Sequence, residues 1–407
     1  MYKSKKSFGL AYLGLLFCWI CFLGCSAAPA PILPSSGDSD LAELLESVRV
    51  KEKLPALASA IIIDGKIYAA AAVGTRKINT NNWVTVDDKF LIASCAKAFT
   101  ATLSAVLIEK GYLDWNTTLK EAYPNLNMRS EYENIDLIQL LSHRAGLPEW
   151  IYHVSSKKVT DQFTDNWPTD RDTPVTMRSE YLKETVKENL ADSPGESVFY
   201  SNSGYLIAGA ILEKITGRSY EQLMTEEIFK PLGIHTAGFG PPVKLDPLKQ
   251  PCGHSGSSRS PHPDDFPEYM APTGVIHISI KDWAKFILLH LDTDTKTKVN
   301  IDSRTLATLH SPPDTAKWRT GSEEIDYGVP SLNYALGWYT LNIDNKEGLL
   351  WHPGGNLGFI AQVIVHPDRK NAILVVTNAR TSHEHLFKAV RKIKKHYSEI
   401  ANLPAIK

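Results

Sequence analysis

Ser94 and Lys97 stand three residues apart in Leu91-Ile92-Ala93-Ser94-Cys95-Ala96-Lys97. If a helix begins at Ser94, both lie on one face a turn apart, and the amine can approach the hydroxyl. A serine hydroxyl needs a base to become a nucleophile, and a lysine serves when desolvation and nearby charge lower its pKa. The helix N-terminus adds a positive partial charge where an oxyanion would form. Spacing alone is weak, because Ser155-Ser156-Lys157-Lys158 repeats it. That repeat lies in a polar stretch where an exposed lysine stays charged and inert, whereas Ser94 has an apolar approach and an apolar helix behind it.

A second element is Pro194-Gly195-Glu196-Ser197-Val198-Phe199-Tyr200-Ser201-Asn202-Ser203-Gly204-Tyr205. On a loop, Tyr200 and Asn202 point to one side, giving a phenol for proton transfer and an amide to hold a substrate carbonyl. Tyr123-Pro124-Asn125 and Tyr132-Glu133-Asn134 repeat the triplet, so it carries little by itself. The third element, Trp351-His352-Pro353-Gly354-Gly355, ends a strand. Its glycines let a substrate backbone approach and leave an N–H free to donate. His254-Ser255-Gly256 offers a similar triplet without a strand before it.

These residues need a frame. Leu41 to Val50 has helical spacing, and Ala58 to Val73 carries Asp64-Gly65 between two apolar runs, a hairpin signal. Near the other end, Tyr334 to Ile343, Leu349 to His352, Phe359 to Val365 and Ala372 to Thr377 read as strands joined by short turns, before a helix over Ser382 to Ile400. Ser382 is its N-cap. The middle reads as helices over Ala96–Lys110, Tyr205–Thr216 and Ile280–Leu291, with Gly111 and Gly217 as stops. The two chain ends therefore supply an antiparallel sheet and the middle supplies helices, an α/β (α+β) pattern without regular strand–helix alternation. The polar stretches 152–176, 240–272 and 311–330 are expected to be loops that could wall a cleft.

Hydrophobic residues are 43% of the 407 and charged residues 22%, which excludes a disordered or polytopic membrane chain. With 45 acidic against 44 basic residues and no long basic block, nucleic acid is not an expected partner. Lys3, Lys5 and Lys6 precede an apolar run from Phe8 to Gly24, the pattern of an export signal over residues 1–24. Residues 25–40, rich in Ala, Pro, Ser and Gly, read as a flexible linker to a folded domain over 41–400. Phe22-Leu23-Gly24-Cys25 resembles a bacterial lipoprotein signal, in which Cys25 would be lipidated, although Phe22 stands where Leu is usual. The expected location is the periplasm or cell surface, membrane-anchored through Cys25. Plain cleavage near Ala28 with secretion, and an uncleaved helical anchor of about 20 apolar residues, are the alternatives. Only Cys95 and Cys252 remain in the body, read as two buried thiols rather than a disulfide framework. His383 and His385, two apart on the last helix, read as solvent-facing. Neither H-E-x-x-H nor G-x-S-x-G occurs, so a zinc peptidase and an α/β-hydrolase lack their anchors, and no metal or cofactor is expected.

Together the three elements resemble the serine β-lactamase and penicillin-binding protein superfamily, in its class C β-lactamase-related group of β-lactamases, D,D-peptidases, D-aminopeptidases and esterases. The resemblance covers roughly Leu41 to Tyr397. It takes in Leu140-Leu141-Ser142-His143-Arg144-Ala145-Gly146-Leu147-Pro148, Phe229-Lys230-Pro231-Leu232-Gly233 and Ala271-Pro272-Thr273-Gly274. It implies an acyl-enzyme on Ser94, with Lys97 as proton acceptor or relay and Tyr200 as general base and acid. Asn202, His352 and Gly354 would bind substrate, and the N–H groups of Ser94 and Gly355 would form the oxyanion hole. Expected substrates are esters, amides, β-lactams or peptidoglycan stem peptides. The alternative is a catalytically weak protein of this fold that only binds peptidoglycan or peptide. His352 stands where many members have a lysine, and Pro353 where a hydroxyl is common. The resemblance thus implies weak binding of carboxylate-bearing substrates, and a gain for them in His352→Lys.

Overall fold

The computed structural model describes residues 35–148, 173–256, 258–262, 267–291, 298–313, 318, 332–343, 347–356 and 358–403. Residues 1–34, Cys25 among them, and the Ser155–Lys158 repeat lie outside them. The chain enters along β1 (Ser35–Gly37), which pairs antiparallel with β3 (Lys66–Gly74). The flexible linker expected through residue 40 is thus corrected at its end. The outer edge of β3 presents backbone N–H and C=O groups that any passing chain can satisfy, whatever its side chains. Asp38 then caps α1 (Ser39–Lys51), its carboxylate accepting from the Leu41 N–H at 2.9 Å.

Asp64-Gly65 turns β2 (Ala56–Ile63) into β3, as the pattern predicts, and Asp64 takes a positive φ of 50° there. After β4 (Lys89–Leu91) come α2 (Ala96–Glu109) and the short helices α3 (Leu119–Ala122), α4 (Ser130–Glu133) and α5 (Leu137–Leu141). Then follow α6 (Pro174–Thr185), α7 (Asn202–Thr216) and α8 (Tyr220–Met224). Strand β5 (Gly238–Phe239) leads to a hairpin of β6 (Gly253–Ser255) and β7 (Ser260–His262), then β8 (Ile276–Ser279), α9 (Ile280–His290) and α10 (Ser303–His310). The stretch 240–272, expected to be loop, therefore holds a hairpin. His254 ties it to the sheet: its N–H donates to Gly358 O, and its carbonyl accepts from the Arg380 N–H at 2.7 Å.

The C-terminal part adds β9 (Leu332–Tyr334), β10 (Tyr339–Ile343), β11 (Glu347–Gly355), β12 (Ile360–His366), β13 (Asn371–Thr377) and α11 (His383–His396), with Ser382 as N-cap. The single strand expected over Tyr334–Ile343 is instead two. Gly337 turns the chain at a φ of +80°, packed so closely on α2 that a Cβ there would stand 2.8 Å from Lys97 O. The large sheet runs β1-β3-β2-β13-β12-β11-β10-β9 with antiparallel neighbours throughout, so strands from both chain ends meet at its centre. Strand β2 is buried on both faces, and its side chains alternate between two cores. Ala56, Ala58, Ala60 and Ile62 join the core under α2, α7 and α9, whereas Leu57, Ile61 and Ile63 join the core under α1 and α11. The site lies where α2 starts against the C-terminal end of β11.

Candidate active site

Ser94 sits half-buried in a 3₁₀ turn, Ala93–Cys95, that opens α2, and Lys97 follows on the helix with no exposed surface. Lys97 Nζ stands 3.2 Å from Ser94 Oγ, 2.8 Å from Asn202 Oδ1 and 2.9 Å from Thr273 O. The last two oxygens only accept, so two N–H bonds are committed to them. Ser94 Oγ, also within reach, is a hydroxyl that can accept or donate. An ammonium donating to Ser94 and a neutral amine taking the Ser94 proton both fit without rearrangement, as a proton acceptor for this hydroxyl requires.

The turn itself is held under strain. Ala93 takes a φ of +48°, a left-handed conformation costing a non-glycine residue about 1–2 kcal/mol. Such a conformation persists only where its surroundings fix it. Gly354 is one of those surroundings: a Cβ there would stand 2.2 Å from Ile92 O and 3.1 Å from Ser94 N. Gly354 is buried and Gly355 exposed. The substrate-binding role expected of Gly354 is therefore corrected. It packs β11 against the nucleophile turn, and Gly355 is the glycine on the open side. Gly354→Ala is expected to cost about 1–3 kcal/mol of stability by overpacking and to slow labelling of Ser94. Gly348→Ala, where a Cβ meets nothing within 4 Å, should do neither. Denaturant midpoints and labelling rates of the two variants check this.

Tyr200 and Asn202 flank Ser201, the N-cap of α7, whose Oγ accepts from the Gly204 N–H at 3.2 Å. Asn202 is thus the first residue of a helix and not part of a loop. Its side chain still reaches Lys97, 105 positions earlier, and Lys97 Nζ lies 4.9 Å from the Tyr200 ring centroid. Four residues named from spacing therefore converge on one nitrogen. The fifth group there, the Thr273 carbonyl, was not singled out in advance, because a backbone oxygen leaves no mark in residue type. Thr100 Oγ1 fixes that segment by donating to Pro272 O at 2.8 Å.

His352 is fully buried. Its Nδ1 lies 2.7 Å from Pro353 O and its Nε2 3.0 Å from Tyr334 Oη. A carbonyl only accepts, so Nδ1 carries the hydrogen and Nε2 accepts from the tyrosine. Burial first, and the Lys97 charge second, push its pKa down to about 3, so the ring is neutral at neutral pH. The expected substrate contact is corrected: the ring lies out of contact with solvent, packed against Tyr334 and Tyr339. A lysine there would be a buried cation facing Lys97, so His352→Lys would test folding instead of specificity. An exposed cation beside Gly355 is Arg380, whose Nη1 donates to Asn356 O at 3.0 Å and stands 2.9 Å from where a Cβ on Gly355 would be.

Of the described look-alike motifs, two have structural partners and the third is core. Tyr123 Oη donates to Ala210 O at 2.7 Å, Tyr132 is fully buried, and His254 Nε2 accepts from the Ile78 N–H at 3.0 Å. His383 and His385 are not solvent-facing as expected but half-buried. His385 Nε2 lies 3.3 Å from Glu52, and burial brings the pKa of His383 down to about 4. The helix that carries them packs on α1, which the two-residue spacing could not foretell. Cys95 and Cys252 form no disulfide, and the Cys95 thiol, its pKa raised by burial, donates to His352 O at 3.3 Å. Trp338 is core, whereas Trp318 is half-buried, stacks on Tyr339 and donates to Leu332 O. Among the described residues no three metal-ligating side chains gather into a metal site.

An antiparallel sheet flanked by helices, with a Ser-x-x-Lys helix start facing the end of a sheet strand, defines a β-lactamase/transpeptidase-like fold. The chain belongs to the Beta-lactamase family, whose model matches residues 41–397. The family supports the serine hydrolase kind and acts on small-molecule or peptide substrates such as β-lactams or peptidoglycan. Protein flp of Staphylococcus aureus strain MW2 is 24% identical over 381 residues, 91% of this chain and 70% of that protein. The octameric penicillin-binding protein homologue from Pyrococcus abyssi superposes with a TM-score of 0.70 at 21% identity, over 88% of this chain and 77% of the other. A class C β-lactamase from Rhodobacter sphaeroides gives 0.68 at 18% identity, over 88% and 100%.

Proposed function

We propose that the protein is a serine hydrolase that forms an acyl-enzyme on Ser94 and acts on neutral esters and amides. The observation that carries this is the setting of Lys97 Nζ: two obligate acceptors, Asn202 Oδ1 and Thr273 O, hold it within 3.2 Å of Ser94 Oγ. A cleft that only held a ligand would have no need of a fully buried lysine aimed at a serine. In the proposed reaction Lys97 accepts or relays the Ser94 proton as Oγ attacks the acyl carbon. Tyr200 carries the proton to the leaving group, Asn202 helps orient the substrate, and the backbone N–H groups of Ser94 and Gly355 receive the oxyanion. Water then releases the acyl group.

A neutral, buried His352 and the absence of a hydroxyl at Pro353 support neutral substrates. One observation favours a second reading, in which a carboxylate-bearing acyl donor such as a penicillin is held: Arg380 stands exposed beside Gly355. The test is the ratio of kcat/KM for benzylpenicillin to that for para-nitrophenyl acetate, in wild type and in Arg380→Ala. On the first reading the ester is preferred and Arg380→Ala moves the ratio less than about threefold. A charge-assisted hydrogen bond to a carboxylate is worth enough that the second reading predicts a penicillin preference falling about tenfold or more. A mass increment of one acyl group on Ser94 separates either reading from a protein that only binds.

A further inference from the structure

We propose that His143 is a positioning residue for Tyr200, holding the phenol over Lys97 through the two peptide N–H groups that flank it. The proposal rests on the reading of Tyr200 as the proton carrier. The Phe199 N–H donates to His143 O at 2.8 Å, and the Ser201 N–H donates to His143 Nδ1 at 3.0 Å. Both neighbours of Tyr200 are thus tied to one residue, and the imidazole packs on the phenol itself, with ring centroids 4.2 Å apart. The same ring also meets Tyr334 at 4.4 Å, the tyrosine whose hydroxyl is bonded to His352.

The turn that carries His143 is laced to the Tyr200 loop along its length. The Gly195 N–H donates to Arg144 O at 2.7 Å, the Ala191 N–H to Gly146 O at 2.8 Å, and Ser201 Oγ to Pro148 O at 2.7 Å. A histidine is an unexpected choice for mere support. Its φ is +60°, where glycine sits at lower cost. Because Nδ1 accepts from a backbone N–H, the neutral ring keeps its hydrogen on Nε2, and that atom is buried without a hydrogen-bond partner among the described residues. Both features work against stability, and both follow if the ring must offer an acceptor to Ser201 and a flat face to Tyr200 at once. Burial and the Lys97 charge hold its pKa well below the usual histidine value, which keeps Nδ1 an acceptor.

The test compares His143→Ala and His143→Asn, each alone and combined with Tyr200→Phe. The readouts are burst acylation by para-nitrophenyl acetate, KM and near-UV circular dichroism. Asparagine tolerates the left-handed backbone and returns an acceptor near the place of Nδ1. His143→Ala is expected to slow acylation about tenfold or more with KM changed less than about threefold, and His143→Asn to stay within about threefold of wild type, since a misplaced catalytic group costs rate before binding. In the Tyr200→Phe background His143→Ala should change the residual rate less than about twofold, because residues acting through one another are not additive. Loss in His143→Asn as deep as in His143→Ala overturns the proposal. So does an undiminished effect of His143→Ala in the Tyr200→Phe background, or failure of both single variants to fold. A Tyr200→Phe enzyme acylating at the wild-type rate overturns the proton-carrier reading itself, whereas a slow Tyr200→Phe beside an unimpaired His143→Ala overturns the positioning role alone.

Discussion

Ser94→Ala is expected to abolish covalent labelling by a fluorophosphonate and to lower ester turnover by at least about a thousandfold, the scale on which removal of a serine nucleophile acts. The fold should hardly register the change. Ser94 is half-buried, and its hydroxyl takes one bond, at 3.2 Å, from a lysine that keeps its two shorter ones. Removing it therefore leaves no backbone group unpaired, and stability should move by no more than about 0.5 kcal/mol. Ser155→Ala, in the other Ser-x-x-Lys stretch, should label like wild type. Intact labelling of Ser94→Ala together with loss in Ser155→Ala would reverse the choice of nucleophile.

The second large effect is expected at the proton carriers. Lys97→Ala and Tyr200→Phe should each slow acylation by about a hundredfold or more, the usual contribution of a general acid or base. Their stabilities should differ. Lys97→Ala leaves Asn202 Oδ1 and Thr273 O facing a cavity, at about 1–3 kcal/mol for a buried group left unsatisfied. Tyr200→Phe keeps the ring that packs on His143 and Tyr339, so it should unfold near the wild-type midpoint. Phenylalanine here is the cleaner probe. Near-normal turnover in a folded Tyr200→Phe protein would remove the tyrosine from the mechanism.

The local signals in the sequence survive into the structure wherever they are self-contained. Asp64-Gly65 makes its hairpin because turn chemistry is decided within four residues, and Ser382 caps the last helix for the same reason. Ser94 and Lys97 meet because one helical turn sets their distance. What the sequence conceals is set by distant neighbours. The break at Gly337 answers to the closeness of α2 behind it, and the burial of His352 answers to Tyr334, which a strand pattern marks only as an inward residue. Ser35–Gly37 joins the sheet through backbone groups alone, so no side-chain pattern announces it. His143 was visible as part of a family stretch, but its hold on Tyr200 runs through one carbonyl and one ring nitrogen, and residue type discloses neither bond.

The meeting of both chain ends at the centre of the sheet governs the order in which this molecule can be made. Ser59 Oγ donates to Leu374 O across 315 positions, and Thr377 Oγ1 to Ala56 O across 321. Strand β2, buried in the finished protein on both faces, emerges from the ribosome some 315 residues before its partner β13. Pairings this distant in sequence are slow, since closure entropy must be met before their contacts form. Until then β2, paired with β3 on one side only, leaves an apolar strand edge open as a template for aggregation. The nucleophile turn shares the delay, because the glycine that packs against it arrives on β11. A ribosome-stalled chain ending before residue 371 should therefore be protease-sensitive and unable to label at Ser94, even though Ser94, Lys97, Tyr200 and Asn202 are all already present in it.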